Sequence, residues 1–213
     1  MNREEIFYRK PLIYLITEGK TMAENFAAEK RKILNLVKIA ADAKISLVQI
    51  REKNLPARLV FELTLEAAKI ASRTETKILV NARADIALAA RADGVHLTAR
   101  SLAVKIIRRN FPPDFIVGAS VHSNEEAEIA RRQAADFVTF SPIFPTPDKE
   151  KFGAPQGLEK LREVCERLKP FPIIALGGID ENNYKSVLEN GASGFAAIRF
   201  LNNAENLRKL TVN

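Results

Sequence analysis

Two short runs gather groups that could do chemistry. VQIREK, residues 48–53, carries Gln49, Arg51 and Lys53 at alternate positions, and a strand turns alternate side chains to one side. Gln49 and Arg51 would then face inward near a strand end, with Lys53 just above them. An inward arginine needs an anion, either a ligand or a paired acid. The neighbouring Glu52 points the other way, so a ligand is the better reading. GASVHS, residues 118–123, sets Ser120 and His122 on one face, and an imidazole among polar groups can move protons near neutrality.

Two further runs would serve phosphate. ALGGID, residues 175–180, ends a strand on Gly177 and Gly178, and a helix is expected to start near Asp180. FAAIRF, residues 195–200, follows with Ile198 and Arg199. Bare amide N–H groups beside a helix N-terminus make an anion cradle. Between these runs and GASVHS lies the longest loop, FSPIFPTPDKEKFGAPQG, residues 140–157, which offers the Thr146 hydroxyl, the Lys149 cation and hinge candidates Gly153 and Gly157. Such loops often form lids. The stretch ILVNARADIALAARADGVHLTARS, residues 78–101, ends its strands on Asn81 and His96, and neither end brings a carboxylate. His96 reads as a packing or hydrogen-bonding residue.

Positioning these groups takes a regular scaffold. β-Branched runs at 11–17, 46–52, 77–82, 94–97, 115–121, 136–142, 172–178 and 194–200 alternate with amphipathic segments such as ENFAAEKRKILNLVKIAADA and ARLVFELTLEAAKIAS. Nearly continuous apolar strands are expected of parallel strands buried on both faces. Eight such alternations predict an α/β fold, a single-domain (β/α)8 TIM barrel over residues 1–213, whose strand carboxyl ends form the functional face.

Composition narrows the classes. The chain has 213 residues, 46% hydrophobic and 28% charged, which are globular proportions. The net charge of +7 is spread over many helices, so a site for phosphate esters is favoured over nucleic acid. No apolar run is long enough for a membrane span, MNREEIFYRK is unlike a signal peptide, and one cysteine, Cys165, makes no internal disulfide. A cytoplasmic location is expected, and oligomeric state is left open, a homo-oligomer included.

The order YLIT, VQIREK, LVNARADIALA, ADGVHL, GASVH, FSPIFPTPDK, ALGGI and GFAAI, from about residue 12 to 200, resembles the thiamine phosphate synthase and thiazole tautomerase family. In its synthases, a pyrimidine diphosphate loses pyrophosphate and its methylene carbon is captured by a thiazole phosphate. In its tautomerases, a thiazole carboxylate phosphate is isomerised. The resemblance assigns pyrophosphate binding to Gln49, Arg51, Lys53, Asn81, Ser120 and Lys149. It assigns the thiazole phosphate to Thr146, Gly177, Gly178 and the backbone near Ile198, and proton transfer in the tautomerases to His122.

The departures bear on the metal. The family pattern has aspartates, after its third and fourth strands, that hold magnesium; here they match Ala82 and Ser101, and a family glutamine matches Ala99. A family serine becomes Arg199 and a threonine becomes Asp148, whereas PIFPT is closer to the synthases. With those acids gone, the expectation is a metal-independent, tautomerase-type isomerase with His122 and Lys149 as catalytic groups and no cofactor. A synthase, which would use magnesium, and a non-catalytic binder of thiazole or thiamine phosphates are the alternatives. Partners are then a phosphorylated thiazole and, for a synthase, pyrimidine diphosphate or pyrophosphate. Arg100, beside the lost ligand, is a candidate extra pyrophosphate contact; the alternative is that it points into solvent.

Overall fold

The computed structural model describes residues 6–7, 11–146 and 154–210. Eight strands run β1 (Leu12–Ile16), β2 (Leu47–Ile50), β3 (Lys77–Asn81), β4 (Gly94–Leu97), β5 (Ile116–Val121), β6 (Phe137–Phe140), β7 (Ile173–Leu176) and β8 (Gly194–Ala197). They neighbour one another in chain order and the order closes, β8 returning to β1. This is the (β/α)8 barrel that the alternation predicts. The expected strands are all present but most are shorter, because pairing stops where the chain turns out of the sheet. Arg51 and Arg199 lie just beyond β2 and β8, not within them.

The helices are α1 (Phe26–Asp42), α2 (Ala57–Ala71), α3 (Ala84–Ala89), α4 (Val104–Asn110), α5 (Asn124–Arg132), α6 (Gly157–Leu168), α7 (Tyr184–Glu189) and α8 (Ala204–Lys209). In α1 the buried residues Phe26, Ile33, Leu36, Val37 and Ala40 recur at helical spacing and so form one apolar stripe. Each large side chain buried in this way contributes about 1.5–3 kcal/mol. The strands, by contrast, are buried on both faces: every residue of β1, β2, β4, β6 and β8 is buried. Cys165 is buried on α6.

Two compact units divide the chain: Tyr14–His96 with Ile198–Asn213, and Met1–Ile13 with Leu97–Ala197. Within the first, β1, β2 and β3 pair in parallel with Tyr14 opposite Leu47 and Gln49 opposite Leu79. Lys30 on α1 braces α2 by pairing with Glu62 and Glu66, both at 2.8 Å. Within the second, β5 to β8 pair in parallel, with Ser120 opposite Thr139. Arg108 on α4 ties that unit together, pairing with Asp136 and donating to the Ala134 and Phe115 carbonyls at 2.6 Å each.

Candidate functional site

In the unit formed by Tyr14–His96 and Ile198–Asn213, the strands support a row of polar side chains. Tyr14 is fully buried, and its hydroxyl donates to Gln49 Oε1 at 3.2 Å. Gln49, also buried, donates through Nε2 to Asn81 Oδ1 at 3.0 Å. The row therefore has one direction. Among the described residues no acceptor takes the Asn81 side-chain N–H groups, so Asn81 presents donors. Burial holds the Tyr14 hydroxyl well above the usual phenol range, so it stays a neutral donor. His96 packs its ring 5.7 Å from that of Tyr14 and burial pushes its pKa down to about 3. A neutral, buried imidazole is the packing residue the sequence suggests.

Arg51 is half-buried just past β2. Its guanidinium meets the Glu18 carbonyl at 3.5 Å, and burial lowers its pKa, with nearby Glu52 opposing the shift. Gln49 lies within β2 and Arg51 just past its end, while Lys53 falls in the turn that follows and is exposed. Glu52 is the residue sequence reasoning missed. It is buried, and its carboxylate accepts N–H bonds from Gly19 at 3.2 Å and Thr21 at 3.1 Å. Its hydrogen bonds are therefore spent on holding the loop after β1, and it acts on Arg51 through its charge without an ion pair. An acid beside an arginine in VQIREK carries no mark of this, because the donors come from a segment more than 30 residues away.

Ala82 follows β3 at φ +59° with its N–H on the His96 carbonyl at 2.9 Å. That left-handed backbone favours Gly, Asn and Asp. The backbone thus has a shape that suits an aspartate, while the side chain is a methyl. In the other unit, Ser101 Oγ accepts the Thr98 N–H at 2.9 Å and lies 3.2 Å from Thr98 Oγ1, so it closes a local turn. Arg100 in that turn is exposed. Magnesium takes oxygen ligands and usually one or two carboxylates. Ala82 has no side-chain oxygen, the Ser101 hydroxyl is neutral and engaged, and the described residues hold no cluster of three or more His, Cys, Asp or Glu suited to a metal. The described residues do not fit the metal implied by the family pattern.

In that same unit Ser120 is partly exposed on β5 and its Oγ lies 3.5 Å from Thr139 Oγ1. His122, just past the strand, is exposed and sets Nδ1 2.7 Å from the Ser141 carbonyl. A carbonyl only accepts, so Nδ1 carries the proton and Nε2 of the neutral ring is an acceptor. Gly177 and Gly178 have φ +101° and +67°. A Cβ on Gly177 would lie 2.8 Å from Pro142 Cα, and one on Gly178 would lie 2.7 Å from the Pro145 carbonyl. The segment after β6 packs directly on them, which requires the glycines whether or not a ligand is bound. The helix expected near Asp180 starts instead at Tyr184 and is only six residues long. A turn intervenes, closed by Asn183, which donates to the Gly178 carbonyl at 2.8 Å and accepts the Asp180 N–H at 2.9 Å. Its N-terminus therefore does not adjoin the glycine pair. Gly157, the hinge candidate, begins α6 at φ +76°. Thr146 bonds the Phe144 carbonyl at 3.2 Å, while Asp148, Lys149 and Gly153 lie outside the described residues. Ile198 is partly buried and Arg199 exposed in the turn after β8.

Comparison with known proteins covers nearly the whole chain. The family described as thiamine monophosphate synthase matches residues 13–201. A relative from Aquifex aeolicus is 40% identical over 188 residues, 88% of this chain and 96% of its own length. The thiamine-phosphate synthase of Pyrococcus furiosus is 33% identical over 199 residues, 93% of this chain and 90% of its own. The solved thiamine phosphate pyrophosphorylase from Pyrococcus furiosus superposes with a TM-score of 0.78 at 30% identity, covering 95% of this chain and 96% of that one. These names overturn the isomerase expected from the missing acids: the relatives at 33% identity and the superposed structure are named for thiamine phosphate synthesis, not for a tautomerase. Two lost carboxylates bear on how a metal would be held and do not by themselves change the reaction. On the extent and consistency of these matches, the chain belongs to the thiamine monophosphate synthase family.

Proposed function

We propose that this chain is a thiamine-phosphate synthase, a transferase that joins hydroxymethylpyrimidine diphosphate to a thiazole phosphate and releases pyrophosphate. The carrying observation is the likeness, over 93% of the chain, to a protein named for that synthesis. In the reaction the bond from the pyrimidine methylene to the diphosphate oxygen breaks, and its electron pair leaves with pyrophosphate. The lone pair of the thiazole nitrogen forms the new C–N bond. No proton need move in that step.

The demand on the protein is to hold polyanions and to stabilise the charge that develops on the leaving group. Gln49, Arg51, Lys53, Asn81, Ser120 and Lys149 are read as diphosphate groups, and Thr146, Gly177, Gly178, Ile198 and Arg199 as groups for the thiazole phosphate. Supporting this reading, Arg51 is a half-buried cation and the Tyr14–Gln49–Asn81 row ends in amide donors. The Gly178 N–H has no acceptor among the described residues, which suits a phosphate oxygen.

The test is direct. Supplied with both substrates, the protein should form thiamine phosphate, read by oxidation to a fluorescent thiochrome, with one pyrophosphate released per product. Absence of both products, with and without magnesium, would overturn the synthase reading. Saturable thiazole phosphate binding without turnover would make the chain a binder instead.

A further inference from the structure

The family pattern calls for a divalent cation, and the described residues do not offer a donor set for one. That mismatch has a positive counterpart in the unit formed by Tyr14–His96 and Ile198–Asn213. We infer that the strand ends of this unit bind pyrophosphate without a divalent cation, with the Arg51 guanidinium supplying positive charge and the Asn81 amide supplying N–H donors. The choice of pyrophosphate rests on the synthase reading; the absence of the cation rests on the geometry.

Three observations converge. First, the acids near Arg51 and Ala82 are committed elsewhere. Glu52 holds the Gly19 and Thr21 N–H groups, Glu18 pairs with Lys20 at 3.0 Å, and Asp85 pairs with Arg83 at 2.5 Å. Arg51 feels the Glu52 charge but forms no ion pair among the described residues, and a half-buried guanidinium with no directly bonded anion has capacity for one. Gly19, where a Cβ would lie 2.9 Å from an Arg51 guanidinium nitrogen, gives that side chain its place. Second, the hydrogen-bond row fixes Asn81 with its oxygen turned to Gln49. Its free face donates, which suits phosphate oxygens and offers a cation nothing. Third, Ala82 has the left-handed backbone that favours Asp. The carboxylate is missing from a conformation suited to it, so the loss changes charge without requiring a different loop. Guanidinium–phosphate pairing is bidentate and charge-assisted, and so can take over part of what a metal does for a polyanion.

Calorimetric titration of the full chain with inorganic pyrophosphate tests this. In EDTA, binding should be saturable, and added magnesium should leave it unchanged or weaken it by sequestering the anion. Arg51→Gln should lower affinity in EDTA at least tenfold, and Asn81→Asp, which swaps donors for charge at constant shape, should do the same. Circular dichroism melts on each variant separate lost binding from lost fold. Ala82→Asp should fold, bind more weakly in EDTA, and recover affinity when magnesium is added. Binding by the parent only with magnesium, no binding in either buffer, or full affinity in folded Arg51→Gln would each overturn the inference. The synthase reading is judged separately: product formation with magnesium-dependent pyrophosphate binding keeps it and sinks this one. Metal-free binding without product does the reverse.

Discussion

The His122 imidazole holds Nδ1 against a backbone carbonyl, leaving Nε2 as an acceptor. A general base removed from a proton-transfer step costs about 10²–10⁴-fold. Joining a neutral thiazole to a methylene carbon requires no such transfer. His122→Asn should therefore lower turnover to thiamine phosphate by less than about tenfold, on that same scale. A fall of a hundredfold or more would put His122 into the chemistry. His96 has the opposite situation, buried and with its pKa pushed down to about 3. The unfolded chain binds a proton there below about pH 6.5, and the folded chain does not until far lower. Stability from this group is thus complete above pH 6.5 and falls as the pH drops toward 3, by up to ~5 kcal/mol. Urea unfolding at stepped pH should show a shallower acid loss in His96→Gln than in the parent. Identical slopes would show that another group controls the acid limb.

Elements meet tightly where the segment after β6 crosses the end of β7. Gly177 and Gly178 combine positive φ with backbone approaches under 3 Å for any added Cβ. Alanine at either should destabilise the protein by about 2 kcal/mol or more, the sum of left-handed strain and a clash. Thermal melts without any phosphate ligand measure this. If the alanine variants melt with the parent, the glycines are required by a ligand and not by the packing. The loop after β1 has an analogous anchor in Glu52. Glu52→Ala leaves the Gly19 and Thr21 N–H groups without their acceptor, at about 1–3 kcal/mol, and frees the loop that carries the Glu18 carbonyl under Arg51. Pyrophosphate affinity should fall along with stability, although Glu52 is itself an acid. Affinity that rose on removing this negative charge would show that electrostatics outweighs positioning here.

At the scale of the whole molecule, the strand order closes through β8 and β1, although the chain divides into two compact units. We propose that the units form one cooperative domain. Calorimetric unfolding should then give a single transition with equal calorimetric and van't Hoff enthalpies. Two resolved transitions would assign separate stabilities to the units. No helix among the described residues is long and apolar enough to cross a membrane.

The periodicity of the sequence determined the strands and helices, since a run such as Leu12–Ile16 can be buried on both faces only inside a parallel sheet. Motif order along the chain carried the family, and local spacing placed Gln49 and Arg51 at a strand end. What the tertiary structure decided is which partners those groups have, because partners come from distant segments. Glu52 reads as a surface acid until Gly19 and Thr21 are seen to surround it, and the packing demand on the glycine pair shows only when Pro142 and Pro145 are found against it. The reach of α7 was likewise not legible, because Asn183 ends the turn through bonds to Gly178 and Asp180 that helical periodicity does not encode. Ala82 and Ser101 were visible in the sequence as lost acids; that Ala82 lies in a left-handed conformation that suits Asp became visible only from the backbone. Side-chain type fixes what a group can do, and the three-dimensional neighbourhood fixes what remains for it to do.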